Sequence, residues 1–264
     1  MKITIIGGGN LGKSIALGLK RTAKYKNADI VVTRKHKRAL PELMEENIPV
    51  LHNNEEAIRD ANYIILCVQP KQVAQVLENL RIDRDRSVLV STVTGVSIND
   101  ILQYSETGTP VVRAVPNTAI AIQESMTCIS ARNVDESTVN EVEKIFQVMG
   151  ETLVIDEELM AAATVLGASG IAFCLRYIRA ASQGGIQMGF HAEEAHKIAV
   201  QTCKGAAGLL SAFSNHPESE IDKVTTPQGC TIAGLNEMEH NGLSSAVIKG
   251  IVASHHRISN IAED

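Results

Sequence analysis

The stretch that most constrains this chain is Gly7-Gly8-Gly9-Asn10-Leu11-Gly12, which follows the apolar run Lys2–Ile6 directly and opens an amphipathic pattern. A glycine-rich turn between a strand and a helix dictates its surroundings. The first glycine permits the tight turn, the second lets another group approach the backbone, and the third lets the helix lie close on the strand. The free N–H groups at the helix start then favour an anion at one point. Gly7, Gly9 and Gly12 fit the GxGxxG spacing of a dinucleotide-binding turn, which makes Gly7, Gly9, Asn10, Leu11 and Gly12 candidate cofactor contacts. A glycine turn with no ligand is the competing reading, and the strand-before, helix-after context favours binding.

Downstream the pattern continues in kind. Short β-branched runs at 2–6, 29–33, 63–68, 87–91, 111–115, 126–130 and 152–155 alternate with helix-like segments such as 10–23 and 71–80. That alternation predicts a largely parallel sheet with helices on both faces, the last two strands and a helix over 135–149 adding an antiparallel extension. From residue 157 strand signals stop. Ala-rich helical stretches follow at about 158–189, 192–213, 232–240 and 243–259, punctuated by Asn215-His216-Pro217 and Thr226-Pro227-Gln228-Gly229. The expected fold class is α/β: a Rossmann-type dinucleotide-binding domain over 1–156, then an all-α domain over 157–264. A chain of 264 residues accommodates two such parts.

The end of the second strand discriminates between cofactors. An NAD site places Asp or Glu there to bond the ribose 2′-hydroxyl, whereas this chain reads Thr33-Arg34-Lys35-His36-Lys37-Arg38. No carboxylate is present to repel a 2′-phosphate, and the planar fork of Arg34 can grip one. Thr33 and Arg34 are therefore cofactor candidates and NADPH is the expected donor, with NADH as the alternative. A solvated charge run at a helix start is the bland reading of the same residues.

Composition excludes several classes. The formal net charge is -5, Trp is absent and aromatics make up 3%, which fits neither a basic nucleic-acid surface nor a base-stacking platform. With 44% hydrophobic residues a sizeable core is expected. Five cysteines, widely spaced and without a CxxC pair, predict reduced thiols in a cytoplasmic protein rather than disulfides or structural zinc. The N-terminal apolar run stops at Gly7, too short for a signal peptide. The apolar stretch 160–190 carries Arg176 and Arg179, costly in lipid, and reads as a long helix buried in protein. None of the eight histidines pairs on a helical face in a metal-ligating pattern, so no metal is expected.

With these residues in view, the chain resembles the pyrroline-5-carboxylate reductases along nearly its whole length. Besides the N-terminal IGGGNLG, the markers are Arg113-Ala114-Val115-Pro116-Asn117-Thr118, similar to the family's RAMPNT, and His216-Pro217 followed by Asp222. Most specific is Thr226-Pro227-Gln228-Gly229-Cys230-Thr231-Ile232-Ala233-Gly234-Leu235, similar to SPGGTTIxAL. The resemblance implies NAD(P)H-dependent reduction of 1-pyrroline-5-carboxylate to L-proline, with substrate and nicotinamide meeting between the domains. It also implies a homodimer through the C-terminal helices, larger rings occurring in the family. By resemblance Thr231 bonds the substrate ring nitrogen, Thr226, Gly229 and Cys230 belong to the substrate loop, and Asn117 lies near the nicotinamide ribose. Val68-Gln69-Pro70, similar to the family's VKP, falls on the cofactor side. Read from the residues alone, Thr231 suits a helix N-cap equally well, and Asn117 a simple turn.

The chain also departs from the family pattern. Gln69 replaces Lys, Ala119 and Ile171 replace Pro, Phe173 replaces Tyr, and Arg179 and Gln183 stand where acidic residues are frequent. Gln228 replaces the first Gly of a pair, and a side chain there is strained if the loop needs a positive φ. These departures keep two alternatives open: a reductase of another small cyclic imine or oxo-acid, and a catalytically silent nucleotide-binding paralogue. A β-hydroxyacid dehydrogenase would use a Lys in the helical part, and none lies between Lys144 and Lys197.

Overall fold

Strand periodicity explains the first half of the structure, a computed structural model that describes all residues except 26–27, 36–39, 133 and 260–264. Successive strand residues point to opposite faces, and here both faces are apolar. Ile3 and Ile5 of β1 (Lys2–Ile6), Ile65 of β4 (Tyr63–Leu66), Val90 of β5 (Val88–Ser91) and Val112 of β6 (Val111–Val115) enter one core. Their neighbours Ile6, Ile64, Leu66, Leu89 and Val111 enter a second core on the opposite face. Helices α1 (Asn10–Arg21) and α6 (Glu136–Gln147) supply Ile15, Leu19, Ile145 and Phe146 to the first; α4 (Val73–Leu77) and α5 (Ile98–Tyr104) supply Val73, Leu77, Ile98 and Ile101 to the second.

With β2 (Asp29–Thr33), β3 (Val50–Leu51), β7 (Ser125–Ala131) and β8 (Gly150–Val154), the sheet has the order β3-β2-β1-β4-β5-β6-β7-β8. Strands β1 to β6 are parallel; β7 runs antiparallel to β6, and β8 parallel to β7. This is the Rossmann-type sheet with the expected antiparallel extension. Sequence reading passed over the two-residue strand β3 and the short helices α2 (Pro41–Glu45), α3 (Asn54–Ile58) and α5. The helix expected over 71–80 is a 3₁₀ turn at Pro70–Gln72 followed by the short α4. Of the basic run after β2, His36, Lys37 and Arg38 lie outside the described residues.

Contacts divide the chain into two units: 1–169 with the described residues from Ser254 on, and Gly170–Ala253. The first ends in α7 (Met160–Ala163) and a π-helical stretch at Thr164–Ser169. The second is all helical, with α8 (Gly170–Gln187), α9 (Ala192–Phe213), α10 (Pro217–Val224), α11 (Cys230–His240) and most of α12 (Leu243–Ser259). Helices α8 and α9 pack where Gly185 meets Ala195. The expectation of a helix buried in protein fails for α8 within this chain, because Gly185 is its one buried residue among those described. Apolar composition signals burial without saying whether the cover comes from the same chain. By length and composition the stretch Glu157–Gln187 would suffice to cross a membrane.

One buried ion pair ties the sheet to the long helical stretch. Arg113 Nη1 of β6 lies 2.7 Å from Glu157 Oε1, which also accepts from the Ile98 N–H at the start of α5. Glu157→Ala leaves the buried Arg113, 5% exposed, without its counter-charge, and should cost about 3–5 kcal/mol in urea unfolding. A loss below about 1 kcal/mol would mean that solvent compensates the arginine.

Candidate functional site

Two hydrogen bonds shape the first site. The N–H groups of Gly7 and Gly8 both donate to the Thr33 carbonyl, at 3.2 and 2.8 Å, stitching the end of β1 to the end of β2. Gly7 has φ +112°, and a Cβ there would overlap the Cys67 carbonyl of the neighbouring strand end. Gly12 is closed in the same way, its missing Cβ occupied by the Gly7 carbonyl and, at 3.2 Å, by Ile5 Cγ2. Gly9 differs: nothing lies within 4 Å of the place a Cβ would take. Its emptiness faces the N-terminus of α1, whose first turn has no acidic residue and whose N-cap, Gly9, has no side chain to satisfy the amides. That is a cradle suited to an anionic group.

Around it opens a cavity of about 590 Å³ lined by Gly7, Gly9, Thr33, Arg34, Val68 and Gln69 among others. Six of the expected cofactor residues therefore converge from three strand ends. Lys35, His52, Asn53, Asn54 and Glu55 join them from the β2 and β3 ends. His52 to Glu55 were missed by sequence reading; the available signal was the Asn53 N-cap, whose Oδ1 accepts from Glu56 N–H at 3.1 Å. Asn10, Leu11, Gly12, Pro70 and Asn117 are not among the lining residues. Leu11 packs on the core and Pro70 opens the 3₁₀ turn. Behind the glycine turn, burial pushes the Cys67 thiol up to about 12 despite a bond from Thr92 Oγ1, so it is protonated at neutral pH.

Asn117 stands at the carboxyl end of β6, and both ends of its amide hydrogen-bond within the fold. Oδ1 accepts from Ala119 N–H at 2.9 Å, and Nδ2 donates to the Gly167 carbonyl of the π-helical stretch at 3.0 Å. It therefore shapes that segment through its side chain.

In the second unit, Thr226, Gly229, Cys230 and Thr231 come together at the start of α11. Gly229 N–H donates to the Thr226 carbonyl at 2.9 Å, closing a turn with Pro227 second and Gln228 third. Gln228 has φ +57°, a conformation such turns give to Gly or Asn, at a cost of about 1 kcal/mol for a side chain. A Cβ at Gly229 would collide with Thr226 Oγ1 and approach its carbonyl. The N-cap is Gly229, so the capping role open to Thr231 is not the one it plays. Thr231 stands one turn position inside, half-buried, and no hydrogen-bond partner for its hydroxyl occurs among the described residues. The helix start thus offers free amides, a free hydroxyl and no acidic side chain.

Strand order, glycine turn and cavity define a dinucleotide-binding fold joined to a helical unit. The family model for pyrroline-5-carboxylate reductase dimerisation matches residues 157–261, and that for NADP oxidoreductase, coenzyme F420-dependent, matches 2–95. Pyrroline-5-carboxylate reductase 2 of Dictyostelium discoideum is 45% identical over 97% of this chain and 92% of its own length. Pyrroline-5-carboxylate reductase 1 of the same organism is 44% identical over 98% of this chain, which spans about half (49%) of that relative. The 1-pyrroline-5-carboxylate reductase structure from Streptococcus pyogenes superposes with a TM-score of 0.89 at 26% identity, covering 99% of both chains. The chain belongs to the pyrroline-5-carboxylate reductase family.

The two kinds of glycine separate in one experiment. Gly12→Ala should lower Tm by several degrees, about 1–3 kcal/mol of overpacking against backbone that cannot yield. Gly9→Ala should leave Tm nearly unchanged and weaken cofactor binding; equal Tm losses would remove the distinction.

Proposed function

We propose that the chain reduces 1-pyrroline-5-carboxylate to L-proline with NADPH, the last step of proline synthesis. The carrying observation is the α11 start, where an unpartnered Thr231 hydroxyl stands beside free amides in a chain that also holds a dinucleotide cradle. When bound, NADPH supplies a hydride to the carbon of the cyclic C=N bond and leaves as NADP⁺. The amides of Asn10 and Leu11 meet the pyrophosphate, and Arg34 meets the 2′-phosphate. Thr33, Val68 and Gln69 would wall the cofactor side, Pro70 would hold the turn that carries Gln69, and Asn117 would set the nicotinamide end through the Gly167 carbonyl. In the second unit the amides after Gly229, with Thr226 and Cys230, hold the substrate carboxylate. Thr231 Oγ1 accepts from the protonated ring nitrogen, orienting an imine that is already electrophilic. Little general acid chemistry is then required, and positioning supplies most of the rate.

The active form in this reading is a homodimer through the helical unit, or a larger ring built from such dimers. Support comes from the exposed Leu175, Tyr177, Ile186, Val247 and Ile248, which leave α8 and α12 uncovered. The same cover explains the apolarity of Glu157–Gln187 without a membrane, since Arg176 and Arg179 would be costly in lipid. Five free cysteines suit a reducing, cytoplasmic setting.

Following NADPH oxidation with pyrroline-5-carboxylate tests the proposal; turnover to proline supports it, and none despite measured NADPH binding sinks it. Thr231→Ala should lower kcat/KM for the imine by about tenfold to a hundredfold, the worth of a charge-assisted hydrogen bond, with cofactor Kd little changed. Arg34→Ala should raise KM for NADPH far more than for NADH, and parallel changes would remove Arg34 from the 2′-phosphate.

A further inference from the structure

On the reading that this cavity takes NADPH, we propose that His52 is a specificity-determining residue whose protonation tilts the site from NADH toward NADPH. His52 lines the cavity beside Arg34, Lys35 and Asn53, and its Nδ1 lies 2.7 Å from the Arg34 carbonyl oxygen. A carbonyl can only accept, so Nδ1 carries the hydrogen. The neutral ring therefore keeps Nε2 as a lone pair. That lone pair can accept from a ribose 2′-hydroxyl, as in NADH, but opposes a phosphate oxygen, acceptor against acceptor. One proton on Nε2 reverses both preferences, because the same atom becomes a charged donor to phosphate. The ring need not move, since the Nδ1 hydrogen bond to Arg34 is kept in either state.

The groups around the ring set the balance. Among the described residues, the charged side chains lining this cavity are Arg34 and Lys35 from the end of β2 and Glu55 from α3. A 2′-phosphate, close to a dianion at neutral pH, neutralises the cations and favours imidazolium. Arg34 thus grips the phosphate at all pH values, and His52 adds a contact only when charged.

The test is calorimetric titration of the full chain with NADP⁺ and with NAD⁺, comparing the parent with His52→Gln at about pH 6 and about pH 8.5. Glutamine can still donate to the Arg34 carbonyl but does not titrate. Titration of the phosphate itself is common to both proteins and cancels. At the lower pH the parent's preference for NADP⁺ over NAD⁺ should exceed the variant's by about threefold to tenfold, and at the higher pH the two should agree within about twofold. Equal preferences at the lower pH, or the same gap at both, would overturn the assignment of His52 while leaving NADPH binding intact. A parent that prefers NAD⁺ at both pH values would instead overturn the NADPH reading, and this inference with it.

Discussion

The paired hydrogen bonds from Gly7 and Gly8 to the Thr33 carbonyl are the constraint on which the first unit depends. They bring the ends of β1 and β2 together, and the close approach of Gly7 to Cys67 adds the end of β4. Once these ends meet, α1 has to start at the same point, and Gly9 at its N-cap, Arg34 and Val68 line one cavity. A side chain at position 7 would push β4 away, and one at position 12 would lift α1 from the turn. The geometry of the cavity is therefore a consequence of backbone packing, and on the proposed function the side chains around it decide which nucleotide it takes.

Much of this was legible in the sequence, for identifiable reasons. Strands with both faces buried leave unbroken β-branched runs, so β1, β2 and β6 could be placed to the residue. β3 has two residues and no periodicity to read. α5 was passed over although Ser97 and Asp100 form a capping box, with Ser97 Oγ accepting from Asp100 N–H and Asp100 Oδ2 from Ser97 N–H. The π-helical stretch at Thr164–Ser169 left no trace, because its composition matches the α-helix that continues it. The exposure of α8 was misread for a physical reason: apolar composition signals burial without saying whether the cover comes from the same chain.

At the level of single residues, motif and geometry divide the labour unevenly. Gly9 and Gly12 occupy neighbouring places in one motif, yet one faces open space and the other solid backbone. Asn117 and Arg113, four positions apart, both bond within the fold, Asn117 to the Gly167 carbonyl and Arg113 Nη1 to Glu157, with Arg113 Nε left buried and unpartnered. Thr231 is the converse, a residue whose sequence context suggests a helix cap and whose position leaves the hydroxyl free. Gln228 takes the left-handed conformation in its turn, φ +57°, at a cost of about 1 kcal/mol for a residue with a side chain.

A crystal structure of the chain with NADP⁺ and proline would test the central claim most directly. Density for the pyrophosphate at the amides after Gly9, the 2′-phosphate beside Arg34 and the proline nitrogen at Thr231 Oγ1 is the expected result. A nucleotide bound away from the glycine turn, or proline bound with Thr231 out of hydrogen-bonding reach, would contradict it.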